Sequence, residues 1–100
     1  MGLFGSKNKV MPKLSEVFSA DAIKKIYDVA GPKLTCNGYG KYTDYAEILI
    51  TALREPDGEM DKRAWDAVMF SSGVLTKVEP ELTGVLKEAI AKYKTLKKNG

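Results

Sequence analysis

The most versatile reactive side chain is missing from this sequence. It has no histidine, and with it goes the commonest general base and metal ligand. Its one cysteine, Cys36, stands beside Asn37-Gly38. With no imidazole to take its proton and no electropositive partner legible nearby, it reads as a plain thiol. A zinc site needs several Cys or His ligands, so no metal is expected. The acidic turn Glu55-Pro56-Asp57-Gly58-Glu59-Met60-Asp61 invites a calcium reading. With Gly58 as the sixth residue of an EF-hand loop, however, the first ligand position falls on Leu53, and Pro56 lies inside the loop. Carboxylate pairs such as Asp57/Asp61 and Glu79/Glu81 stand at helix starts, where negative charge suits the macrodipole.

Phosphate and nucleic-acid chemistry fare no better. Gly38-Tyr39-Gly40-Lys41 has a fragment of a phosphate loop. A dinucleotide fingerprint would need glycine where Thr43 stands, and a Walker loop would need glycine where Thr35 stands and Ser or Thr where Tyr42 stands. Tyr27, Tyr39, Tyr42, Tyr45 and Trp65 are candidates for base stacking, but the lysine runs are elsewhere and core packing explains the rings. The turn after Arg54 is too long for a helix-turn-helix, and the helix beyond it is too apolar to lie in a groove. Nucleic acid is not an expected partner, and neither cofactor nor catalytic residue is assigned.

The amino end carries one modification motif. Met1-Gly2-Leu3-Phe4-Gly5-Ser6 fits the N-myristoylation pattern, with Gly2 as acceptor and Ser6 in place. One acyl chain holds a bilayer only marginally, and basic residues supply the usual second signal. Lys7, Lys9 and Lys13 follow with no acid among residues 1–13, and Lys92, Lys94, Lys97 and Lys98 lie among residues 90–100, again with no acid. The chain's net +3 is therefore made of two basic ends around a mildly acidic body. Basic ends attract anionic surfaces, although a Lys-rich last turn also suits a helix macrodipole.

These groups need a scaffold. One hundred residues make one domain, divided here into an arm over residues 1–12 and a helical domain over residues 13–98. The organising stretch is Met60 to Val74. At 100° per residue, Met60, Ala64, Trp65, Ala67, Val68 and Met69 cover more than half its circumference, and Phe70 extends the apolar cover. Such a helix is expected to be central, with neighbours on several sides. Pro12 suits the start of a short helical turn through Lys13–Phe18. Ser19 caps a helix over Ala20–Ala30, with Phe18 and Ile23 placed as a hydrophobic staple and Gly31-Pro32 as the stop. Lys33 to Tyr42 reads as loop, in preference to an Asn37-Gly38 hairpin. Thr43 caps the next helix, whose broad apolar face is Tyr45, Ala46, Ile48, Leu49, Ile50, Ala52 and Leu53. Pro56-Asp57-Gly58 turns the chain into the Trp65 helix, which Ser71-Ser72-Gly73 loosens, leaving Val74 to Glu79 as connector. Pro80 opens the last helix, with Leu82, Val85, Leu86, Ala89, Ile90, Tyr93 and Leu96 at steps of three and four and a Glu88–Lys92 pair.

The expected fold is all-α: a compact bundle of four principal helices plus a short N-terminal helical turn. No apolar run approaches the ~18 residues of a membrane span, and residues 1–11 lack a signal-peptide core. The lone cysteine favours a reducing, cytoplasmic setting. The leading functional expectation is a non-enzymatic module that binds another protein or itself. The alternative comes from the Gly2/Ser6 motif, the length, the helices and the Gly58-x-x-Asp61-x-x-x-Trp65 turn into a central helix. In layout these resemble a retroviral matrix domain. That resemblance implies attachment to the inner face of a membrane through acylated Gly2 and the lysines Lys7, Lys9 and Lys13, aided by Lys94, Lys97 and Lys98.

Overall fold

The computed structural model describes residues 11–99, which form helices with no strand among the described residues. In chain order these are α1 (Leu14–Val17), α2 (Ala20–Thr35), α3 (Thr43–Leu53), α4 (Lys62–Val78) and α5 (Thr83–Asn99). Single 3-10 turns, Gly40–Tyr42 and Pro80–Leu82, lead into α3 and α5. The architecture is the all-α bundle of four long helices and one short N-terminal turn. Chain neighbours pack together, α2 on α3, α3 on α4 and α4 on α5, and α1 closes against α5.

Local chemistry sets several of the starts. Ser19 Oγ accepts the Ala22 N–H at 3.1 Å, and Asp61 Oδ1 accepts the Ala64 N–H at 2.8 Å. Each satisfies one of the donors a helix leaves open at its first turn. Phe18 is buried and Ile23 packs against the same core, as a staple requires. In α1 the Glu16 carboxylate reaches back to the Lys13 N–H at 2.9 Å.

Three boundaries differ from the sequence reading. First, α2 does not stop at Ala30 but runs through Gly31-Pro32 to Thr35. Pro32 cannot donate to the Asp28 carbonyl, but both residues lie on the exposed side of the helix. Gly31 also lacks the Cβ that would clash with a following proline ring. The extra turn places Leu34 against the core. The true stop is Asn37-Gly38. Asn37 takes φ 56, the Gly38 N–H donates to Lys33 O at 2.6 Å, and the Asn37 N–H to Leu34 O at 3.5 Å. That is a Schellman ending with Asn in the left-handed position, not a hairpin.

Second, Thr43 is not a cap. The 3-10 turn runs straight into α3, and the Thr43 hydroxyl instead lies 2.7 Å from Gly40 O and 3.0 Å from Asn37 Oδ1. Third, α4 passes through Ser71-Ser72-Gly73 and ends at Val78, so the connector shrinks to Glu79. Ser71 and Ser72 are fully buried, and side chains this small let α4 lie close to its neighbours. The exposed i,i+4 pairs that do form are Lys24–Asp28 at 2.7 Å and Lys62–Asp66 at 3.0 Å, rather than Glu88–Lys92.

The core centres on Trp65, which is 0 % exposed. Its ring stacks on Tyr93 of α5 at 4.4 Å between centroids and 24° between planes. Its Nε1–H donates to Pro12 O at 2.8 Å, and Met11 packs on the core beside it. The folded body therefore takes in Met11 and Pro12. At its other edge, the Ser15 N–H donates to Pro56 O at 2.9 Å and the Ser15 hydroxyl to Asp57 at 2.5 Å. These bonds fasten α1 to the turn that precedes α4.

A second fastening lies at the α4–α5 joint. Glu79 is 1 % exposed, although the sequence places it as a simple helix-start acid. Its Oε1 accepts from Lys33 Nζ at 2.5 Å and from the Tyr39 hydroxyl at 2.7 Å, and its Oε2 accepts the Glu81 N–H at 3.3 Å. Burial pushes this carboxyl up, but the Lys33, Tyr39 and Glu81 donors and the Lys33 charge outweigh it and hold it below its ordinary 4.5. The Tyr39 phenol is pushed up, first by burial and then by its bond to Glu79. Lys33, which is 43 % exposed, is raised by its bond to the same carboxylate. One acid thus ties the end of α2, the turn after it and the start of α5 into a single joint.

Two outcomes follow. Trp65→Ala removes the stacked ring and its N–H bond, and we expect a loss of ~3–5 kcal/mol in urea unfolding, against a total of ~5–15 kcal/mol for a domain. Glu79→Gln keeps an acceptor but loses the charge, at a cost of ~1–3 kcal/mol near neutral pH. Because folded Glu79 has a depressed pKa, its contribution is complete above 4.5 and drains as pH falls through the folded value. The stability gap between Glu79→Gln and the native chain should close at acid pH, and a gap of constant size down to pH ~3 contradicts this role. Tyr39, raised from 10.0, and Lys33, raised from 10.5, give the opposite limb: each contribution is complete below its ordinary value and drains as pH rises toward the higher folded one.

Candidate functional site

Two surfaces merit description. The first is built by α3 and α4. Along α3, Tyr45, Ile48 and Ala52 follow at steps of three and four and share one face. Along α4, Ala64, Ala67 and Val68 line the opposite wall, with Met60 just before the helix. Between them runs an open groove of about 660 Å³, edged by Asp44 and Glu47. Further along α4 a second hollow of about 470 Å³ lies around Phe70, Gly73 and Val74, with Tyr42 and Lys77 at its margin.

This face holds the two large apolar side chains that are exposed among the described residues. Ile48 is 40 % exposed and Phe70 62 %. The Phe70 ring stands edge-on to Tyr45, with centroids 5.4 Å apart and planes at 61°. The sequence reading placed both in buried cover, Ile48 on the α3 face and Phe70 on the central helix, and here the structure corrects it. The buried residues of α4 are Trp65, Val68, Ser71, Ser72 and Leu75, which fall in one sector facing α3 and α5. Next to that sector, Ala67 and Phe70 stay exposed and Val74 half-buried, with α3 reaching Phe70 through the Tyr45 ring. A helical wheel reports which side chains are apolar, not whether a neighbour exists to cover them.

The second surface is one end of the bundle. Lys13, Lys94 and Lys97 are exposed. A chain of contacts brings the first near the last: Pro12 O holds the Trp65 indole, Trp65 stacks on Tyr93, and Lys97 Nζ lies 6.0 Å from the centre of the Tyr93 ring. Lys62, paired with Asp66, edges the same end. The Tyr93 phenol is pushed up by burial and by the Asp66 charge, with Lys62 opposing. Lys13 and the α5 lysines Lys94 and Lys97 therefore lie toward the end of the bundle where α4 starts and α5 finishes. Gly2, Lys7 and Lys9 lie outside the described residues, and so does the side chain of Lys98.

The remaining chemical candidates have local duties. Cys36 is exposed, and its thiol donates to Pro32 O at 3.4 Å. Gly38 closes α2 through its N–H on Lys33 O. Asp57 and Asp61 hold Ser15 and the start of α4. The buried hydroxyls of Ser71, Ser72 and Tyr93 have no hydrogen-bond partner among the described residues. No group of three His, Cys, Asp or Glu side chains there is placed to hold a metal, and no helix is long and apolar enough to cross a membrane.

Compared with protein-family models, with curated proteins and with solved structures, the chain matched none.

Proposed function

We propose that this chain is a non-enzymatic interaction module that binds a protein partner through the α3–α4 face. The observation that carries the reading is Phe70, a large apolar side chain left 62 % exposed against Tyr45 and lining an apolar hollow, with exposed Ile48 in the neighbouring groove. Scattered apolar residues on a surface need no explanation, whereas a contiguous patch marks a contact site. Full burial of a Phe or Ile side chain is worth ~1.5–3 kcal/mol, and an aromatic anchor seated in an apolar setting is typical of an interface hot spot. The acids Asp44 and Glu47 at the groove's edge favour a partner with basic residues flanking its apolar ones.

A second reading rests on the convergence of Lys13, Lys94 and Lys97 at one end of the bundle. We propose there a contact with an anionic membrane surface, strengthened by the lysines of residues 1–13 and by acylation at Gly2. This is the mode of attachment implied by the resemblance to a retroviral matrix domain. Each lysine near an anionic leaflet contributes ~1 kcal/mol, and that attraction fades beyond a Debye length.

Two measurements test these readings. A photo-activatable phenylalanine analogue at position 70, carried in the full chain, should give covalent protein adducts that the same analogue at exposed Lys25 does not. Equal labelling from both positions, or none from position 70, counts against the α3–α4 face. Phe70→Ser should remove binding while shifting stability by no more than ~0.5 kcal/mol, as for other surface changes. For the basic end, Lys13→Glu with Lys97→Glu should lower flotation with phosphatidylserine vesicles at low salt and leave behaviour with neutral vesicles unchanged. Flotation indifferent to both salt and these charges contradicts it.

A further inference from the structure

We propose that the α4 part of this face is occupied by a second copy of the chain, the two α4 helices lying antiparallel about a two-fold axis between Ser71 and Ser72. The inference rests on the protein-binding reading above and names the partner.

Three observations on α4 lead there. Phe70 projects from the middle of the helix, 62 % exposed. Gly73 sits one turn on, inside the same helix, where glycine is a poor residue. A Cβ built on Gly73 meets nothing within 4 Å, so the packing of this chain does not require glycine there. A glycine that its own fold does not need, beside an exposed aromatic ring, fits the close approach of something from outside. The third observation is the charge arrangement: exposed Asp66 lies four residues before Phe70, and exposed Lys77 four residues after Gly73.

Helix geometry places Asp66, Phe70, Gly73 and Lys77 within an arc of about 60°. With the axis between Ser71 and Ser72, Phe70 and Gly73 lie ~2 Å to either side along the helix, and Asp66 and Lys77 ~8 Å. Antiparallel pairing then sets each Phe70 over the other copy's Gly73 and each Asp66 opposite the other copy's Lys77. Every contact is made twice, as an isologous interface demands. The face carries its own knob, its own gap and both members of its ion pair, so no other molecule is needed to complement it. The Lys62–Asp66 pair offers little competition, because both side chains are exposed. A single 17-residue helix offers less area than the ~800 Å² per partner of a standard interface, so the dimer is a weak, reversible one.

Sedimentation equilibrium of the full chain from micromolar to millimolar concentration tests this. The mass should move from 11.0 kDa toward twice that value. Phe70→Ala should raise the dissociation constant at least tenfold, and Lys77→Glu at least fivefold, with the Asp66→Lys, Lys77→Glu double variant returning toward native. Gly73→Ala should weaken the dimer at least fivefold and raise the melting temperature of the dilute monomer, a pair of effects that simple unfolding cannot produce. A chain monomeric at 1 mM overturns the proposal, as does a dimer indifferent to Phe70→Ala and Gly73→Ala, or a charge swap that does not recover. If position 70 captures a different protein while the chain stays monomeric, only the choice of partner fails. If it captures nothing and no dimer forms, the protein-binding reading fails with it.

Discussion

Two neighbours cannot cover a cylinder, and that constraint shapes this molecule. α4 carries apolar side chains beyond its buried sector, yet among the described residues only α3 and α5 pack along it as long helices. They take the sector of Trp65, Val68, Ser71, Ser72 and Leu75. The buried surface is used efficiently. The indole fills the space between α4 and α5 and spends its single N–H on Pro12 O, and the two serines let the helices approach. Next to that sector Ala67, Phe70 and Val74 form an apolar strip bordered by Arg63, Asp66 and Lys77. α2 is the remaining long helix, and it packs on α3, with Lys33 near its end fixed to Glu79. The exposed strip thus follows from helix count and connectivity, not from a defect in packing.

The Glu79 joint shows the opposite economy. Sinking a carboxylate normally costs several kcal/mol unless partners offset it. Here three donors meet it, and one of them, Lys33, keeps its own charge partly in water, which lowers the desolvation of the pair. The acid can therefore be satisfied without burying a second full charge. Its position explains why α4 and the 3-10 turn that leads into α5 need only one residue between them. Glu79 closes α4 through its N–H on Leu75 O at 2.8 Å and begins the 3-10 turn through its carbonyl, which accepts the Leu82 N–H at 3.0 Å. The Thr83 hydroxyl then reaches back across the joint to Thr76 O at 2.9 Å. Short connectors of this kind leave little freedom in how α5 lies against α4, and so help fix Tyr93 on Trp65.

Much of the scaffold is legible in the sequence where signals are local. The uninterrupted three-and-four spacing of α5, the Ser19 cap and Pro80 each act within a few residues and survive in the fold. The errors cluster where distant residues override local preference. Gly31-Pro32 is a breaker in isolation, but the turn beyond it gains core contact for Leu34 and places Lys33 on Glu79. Ser71-Ser72-Gly73 reads as frayed, although burial between α3 and α5 holds it helical. Glu79 has the spacing of a capping acid. What buries it is a lysine 46 residues away and a tyrosine 40 residues away, and no short window contains either pairing. The candidate site was legible only as chemistry. Phe70 and Ile48 are visible as apolar, whereas their exposure depends on which faces of α3 and α4 the other described helices cover.

The apolar face and the basic end constrain each other through α4. Phe70 and Gly73 lie in its middle, while Lys13, Lys62 and Lys97 gather at its start. A two-fold axis across the middle of α4 sends the starts of the two helices in opposite directions. An antiparallel pair therefore carries its two lysine clusters at opposite ends and cannot lay both on one flat anionic surface. A single copy has no such conflict: it can stand with its basic end toward the headgroups and keep the α4 sector open at the side. Self-association through α4 and flat attachment by both copies are thus alternatives on geometric grounds, before any energy is assigned to either. Whichever contact is stronger under given salt and concentration decides how the other surface is presented. Salt acts on them unequally, because screening weakens the lysine contact more than the burial of Phe70.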